Sequence, residues 1–164
     1  MFLKKPVSLR HSTFIILYSS FILFLASCNK DVVFEKNVSI PDYKWDLNNL
    51  VALDADISDT TIPYNIYINV RNASGYQYSN LFLFMTTGLP DGTSARDTLE
   101  LTLADESGRW LGEGMGDLRD NRLLFKKKFF FPQQGVYRFS LQQAMRVNPL
   151  PEIADVGLRI EKSK

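Results

Sequence analysis

The chain has 164 residues and a formal charge of +1, which is one ordinary domain's length and too balanced for a basic nucleic-acid surface. Its single cysteine excludes a disulfide framework. Apolar packing must therefore hold the fold, and a hydrophobic share of 45% is enough for a core of that size.

Lys4, Lys5 and Arg10 precede an apolar run from Phe14 to Leu25, and the small residues Ala26 and Ser27 stand before Cys28. That is the layout of a secretory signal. The run is too short to span a bilayer, since about 13 apolar residues at roughly 1.5 Å each fall well below a ~30 Å hydrocarbon core. Leu25-Ala26-Ser27-Cys28 resembles the lipobox of bacterial lipoproteins, which implies cleavage between Ser27 and Cys28 and diacylglyceryl and acyl chains on the cysteine. The expected organisation is a signal peptide over 1–27, a lipidated cysteine and tether over 28–42, and one domain over 43–164.

Cleavage there changes the available chemistry. His11, the only histidine, leaves with the signal, and Cys28 is capped by lipid. Without imidazole or free thiol, the Ser-His-Asp and Cys-His nucleophile arrangements and the usual zinc ligand sets are gone. Loss of Lys4, Lys5 and Arg10 also turns the charge from +1 to −2. No cofactor, metal, nucleic acid or small-molecule substrate is expected.

The first strong strand is Leu50 to Asp56, where Val51, Leu53 and Ala55 alternate with Ala52, Asp54 and Asp56 in the period that sends one set inward. Tyr64 to Arg71 repeats it with Ile66, Ile68 and Val70, ahead of turn residues Asn72-Ala73-Ser74-Gly75. Leu81 to Thr87 is apolar on both faces and reads as a central buried strand. Leu99, Leu101 and Leu103 alternate into Asp105-Glu106-Ser107-Gly108 and then Arg109-Trp110-Leu111, which predicts a hairpin. Further strands are expected near Arg122 to Lys127, from Val136 to Met145, and from Ile153 to Glu161, with a turn at Asn148-Pro149-Leu150-Pro151. Helical periodicity is not sustained after Cys28. Short strands with Gly and Pro turns predict an all-β fold, an antiparallel β-sandwich of jelly-roll or Greek-key type in a single domain.

Several stretches invite functional readings. Asp54, Asp56 and Asp59 suggest a hard cation, but a calcium loop counted from Asp54 needs Gly at position 59 and Glu at 65, where Asp59 and Asn65 stand. Gly112, Gly114 and Gly116 leave one face of an extended segment bare, which suits a bulge or close approach of a backbone or ligand. Trp110, Gly112, Gly114, Gly116 and Asp117 are the candidate partner-docking residues. Glu113 and Asp117 are a candidate glycosidase carboxylate pair, a chemistry that needs two carboxyls flanking the scissile bond. Lys126, Lys127 and Lys128 ahead of Phe129, Phe130 and Phe131 read as a charged strand edge followed by core aromatics, or as an anionic lipid or partner patch. Tyr64, Tyr67, Tyr76, Tyr78, Trp45 and Trp110 would stack on sugars if they face outward, so a carbohydrate-binding envelope lipoprotein is the alternative function.

Beyond the lipobox, Val33-Phe34-Glu35, Trp45, the run from Tyr64 to Asn72, and Leu103-Ala104-Asp105 resemble the GldH gliding-motility lipoproteins of Bacteroidota. The segments from Gly108 to Asp117 and from Gly135 to Arg146 carry that resemblance most specifically. It implies an outer-membrane lipoprotein of the gliding apparatus, which in this phylum is tied to type IX secretion. It also implies a membrane-lipid contact through the acylated cysteine, other envelope proteins of the machinery as partners, and no catalytic residues.

Overall fold

Period-two alternation along the chain becomes two antiparallel sheets facing one another in the computed structural model, which describes residues 31–164 other than Met115. The signal segment, the Ser27–Cys28 cleavage site and Cys28 lie outside the described residues. The strands are β1 (Val32–Ser39), β2 (Lys44–Trp45), β3 (Val51–Ile57), β4 (Tyr64–Ala73), β5 (Asn80–Gly88), β6 (Ser94–Thr102), β7 (Leu118–Phe129), β8 (Gly135–Gln143), β9 (Leu150–Pro151) and β10 (Ile153–Lys162). A single turn of 3-10 helix, Pro41–Tyr43, follows β1.

One sheet runs β1-β10-β4-β7 and the other β3-β8-β5-β6, with β2 and β9 paired separately. Leaving out that small pair, the first strand bonds the last, the second bonds the one before last, and so inward to β5 with β6. Such nesting is a long antiparallel ribbon doubled over and rolled, the jelly-roll order. The expected β-sandwich is therefore the fold, and the strand order selects between its two forms.

Leu53, Ala55 and Ile57 of β3 and Tyr137, Phe139 and Leu141 of β8 share one core with Ile66 and Ile68 of β4 and Val156, Leu158 and Ile160 of β10. Each large aliphatic or aromatic side chain among them contributes about 1.5–3 kcal/mol by leaving water. At one end Phe131 meets Tyr64 and Phe129 edge-on, with ring centroids 5.4 and 5.1 Å away, and Tyr137 at 4.7 Å.

Four local expectations change. The tether over 28–42 is cut short, because β1 already pairs with β10 from Val32, and the sandwich begins there rather than at residue 43. Asn72 does not turn the chain but extends β4 and is fully buried, where its Oδ1 accepts from Asn121 Nδ2 at 2.9 Å. The second arm of the expected hairpin at 109–111 reduces to a single bridge between Ala104 and Trp110. Finally, β5 is central within its sheet but one face meets solvent: Phe82 is exposed, and Arg96 lies 4.2 Å over the Phe84 ring.

Candidate functional site

The outer face of the β1-β10-β4-β7 sheet carries three cross-strand rows, because residues in register on neighbouring strands point the same way. Glu35, Arg159, Tyr67 and Leu124 form one; Asn37, Gly157, Asn69 and Arg122 the next; Ser39, Asp155, Arg71 and Asp120 the third. Gly157 leaves the middle row without a side chain at the sheet's centre. Over this face lies a depression of about 870 Å³ running from Glu35 and Asn37 past Asn69 and Arg71 to Leu111, Gly112, Glu113 and Gly114 beside β7.

Its charges are mutually engaged. Arg159, 7% exposed, reaches Glu35 and Glu161. Burial alone would lower its pKa, and the two carboxylates outweigh that and hold it above the ordinary arginine value. Arg122 also reaches Glu35, at 3.2 Å. Arg71 joins Asp120 and Asp155, and the bond to Asp120 raises its pKa. Asn69 donates from Nδ2 to Asn37 Oδ1 at 3.1 Å and Glu35 Oε1 at 3.3 Å. Its own Oδ1 is buried with no hydrogen-bond partner among the described residues. A buried acceptor left empty costs about 1–3 kcal/mol.

The glycine segment closes the depression's far end. Glu113 and Asp120 exchange backbone hydrogen bonds, 3.0 Å one way and 2.6 Å the other. A Cβ on Gly112 would stand 2.6 Å from Asn121 Oδ1 and 2.9 Å from the Asp120 carbonyl, and one on Gly114 would overlap the Leu118 carbonyl. These glycines thus admit the chain's own backbone. Gly116 turns the segment at φ +71°, and the Asp117 carbonyl accepts from Ser74 N–H at 2.7 Å. Among the candidate docking residues, Gly112 and Gly114 line the depression, whereas Trp110 packs against the core.

Other sequence candidates resolve into local roles. Asp54 takes a bidentate contact from Arg138 at 2.7 and 2.8 Å, and Asp59 accepts from the Thr61 backbone N–H and hydroxyl at 2.8 and 2.7 Å. Neither converges with Asp56 on a cation. Trp45, Tyr64 and Tyr76 are buried, and the polar tip of each donates to a backbone carbonyl. Three of the six rings on which the carbohydrate reading stood thus belong to the core, and Tyr67, Tyr78 and Trp110 are half-buried. Of the three phenylalanines after the lysines, Phe131 is buried, Phe129 half-buried, and Phe130 exposed rather than in the core.

Asn37, Asn69, Arg71, Asn121, Arg122 and Gly157 were not singled out from the sequence. A signal was present, since asparagine and glycine are disfavoured within strands and yet recur at these positions. Only the strand order brings them together.

The profile of the GldH lipoprotein family matches residues 32–160. The chain is 40% identical over 159 residues to a protein of Christiangramia forsetii named gliding motility lipoprotein GldH homolog, covering 93% of this chain and 96% of that one. It is 34% identical over 155 residues to the gliding motility lipoprotein GldH of Flavobacterium johnsoniae, covering 90% and 94%. Among solved structures, a chain of infectious bursal disease virus Gx strain aligns with a TM-score of 0.31 at 14% identity, over 79% of this chain and 32% of the viral one.

Proposed function

The chain belongs to the GldH lipoprotein family, and from that premise we propose that it is a lipid-anchored, non-catalytic component or assembly factor of the gliding and type IX secretion-linked envelope machinery. Acylated Cys28 holds it at the outer membrane. The outer-face depression docks a protein partner.

The observation that carries the docking reading is the outer-face depression itself, lined by Asn37, Asn69 and Arg122, in which Asn69 Oδ1 has no hydrogen-bond partner among the described residues. A peptide segment lying along the depression brings N–H donors to this polar row, and the 870 Å³ hollow beside it gives room for a backbone. The glycine segment bearing the docking candidates forms one wall, and Leu111, 55% exposed, adds an apolar contact there. The described residues include neither a histidine nor a cysteine, which favours a binding over a catalytic role.

Photocrosslinking in whole cells tests this. A photoreactive residue at Leu111 should trap an envelope protein, and Asn69→Leu should abolish that adduct. The same adduct from Thr98, on the outer face of the other sheet, would reject the site. For the anchor, Cys28→Ala should release the protein from membranes, and a variant still lipid-labelled would overturn that part.

A further inference from the structure

The strand ends of the first sheet define a pole at which the chain departs toward Cys28. Val32 pairs with Glu161, Lys162 with Tyr64 and Tyr64 with Phe129, and the Asp31 carbonyl accepts from Lys162 N–H at 2.8 Å. Cys28 lies three residues before Asp31, and three residues span at most about 11 Å. With Cys28 in a bilayer, this pole stands within roughly one Debye length of the headgroups.

The pole carries a cluster of lysines and an outward ring. Lys126, Lys127, Lys128 and Lys162 form no ion pair among the described residues. Of the acids around them, Asp31 pairs with Lys164 at 2.7 Å and Glu161 with Arg159 at 3.0 Å. Asp59 and Asp91 accept from Thr61 and Thr93 and, like Asp56, keep their charge, so the positive charge is concentrated on the lysine run at 126–128. Between inward-turned Phe129 and Phe131, Phe130 is 56% exposed. Guarding a strand edge would explain the lysines alone but not an exposed phenylalanine beside them. Basic side chains with an adjacent exposed aromatic match what a protein places at a bilayer surface.

We infer that Lys126, Lys127, Lys128, Lys162 and Phe130 form a second membrane contact, seating the domain on anionic phospholipid headgroups with Phe130 in the interfacial layer. This rests on the lipid-anchor reading of Cys28 for its proximity. Lipid chains alone let a domain swivel about its tether, and a basic, aromatic foot limits that motion. The 111–114 wall of the docking depression, at the opposite end of β7, then faces away from the bilayer.

The test uses the processed full chain reconstituted into vesicles of phosphatidylcholine alone or mixed with phosphatidylglycerol. A dye on Gln134→Cys, in the loop after Phe131, reports the pole, and a dye on Leu47→Cys reports the opposite end. Quenching by nitroxide lipids at position 134 should be several-fold stronger with phosphatidylglycerol and should fall with salt. It should drop to the phosphatidylcholine level in Lys126→Glu/Lys127→Glu/Lys128→Glu, and partly in Phe130→Ser, while position 47 stays unquenched. Each lysine near an anionic surface is worth about fivefold in partition, about 1 kcal/mol. Equal quenching in both vesicles, indifference to charge reversal, or equal quenching at position 47 overturns the contact. The mass of the Cys28 peptide reads the anchor separately: an unmodified Cys28 with phosphatidylglycerol-dependent quenching rejects the anchor and supports the contact.

Discussion

Asn37 lies across the bare backbone of Gly157, its cross-strand partner on the outer face of the first sheet, so that a Cβ there would overlap Asn37 Oδ1 and the Lys36 carbonyl. This packing lets Asn37 reach over β10 toward Asn69, two strands away. The missing side chain makes room for the polar row.

Gly157→Ala should therefore destabilise the domain by about 1–3 kcal/mol, the usual cost of overpacking. Adding Asn37→Ala should recover only part of the loss, because the Lys36 carbonyl is backbone and remains in the way. Urea unfolding of the two variants checks this, and full recovery in the double variant contradicts it.

Gly114→Ala and Gly88→Ala should differ although both change the same atoms. At Gly114 the new Cβ meets the Leu118 carbonyl, so the segment bridging Glu113 to Asp120 must shift. At Gly88 it meets Arg138 at an ordinary 3.7 Å. Partner crosslinking from Leu111 should fall several-fold in the first and hold in the second. In the second, stability should be unchanged or raised by up to about 0.5–1 kcal/mol, since alanine loses less chain entropy on folding.

The buried guanidinium of Arg159 makes its ion pairs asymmetric. Glu35→Ala/Glu161→Ala strands a cation that is 8% exposed at its side chain, and breaking such a pair from one side costs up to about 3–5 kcal/mol. Arg159→Met leaves carboxylates that are 33% and 23% exposed, with Glu35 still held by Arg122. It should lose less than half as much. Thermal unfolding of the variants ranks them.

Asp105 should couple stability to acid pH. Its carboxylate accepts from the Ser107 hydroxyl at 2.6 Å and the Arg109 backbone N–H at 3.0 Å, which lowers its pKa from 3.8 to about 2, the Ser107 hydroxyl contributing most. A depressed folded pKa stabilises above the unfolded value, and the contribution fades as pH falls from 3.8 to about 2. Asp105→Asn should be less stable than the parent at neutral pH, with the gap closing near pH 2. A gap that persists there would mean the asparagine fails for another reason.

The sequence by itself determined the all-β class, the core faces and the family. Val51, Leu53 and Ala55, then Ile66, Ile68 and Val70, announce their inward side because burial repeats every second residue along a strand, a local property. The run at Leu81 to Thr87 misled about its outer face, since apolar residues there are shielded in part by Arg96, contributed from β6. The tertiary structure alone decided the depression, and it alone turned Phe130 outward and brought Lys162 beside the lysine run. Asn37, Gly157 and Asn69 lie 120 and 88 positions apart along the chain and become neighbours only because β10 inserts between β1 and β4. Strand order is a long-range outcome of packing two sheets together. No period within one strand encodes which strand will lie beside it.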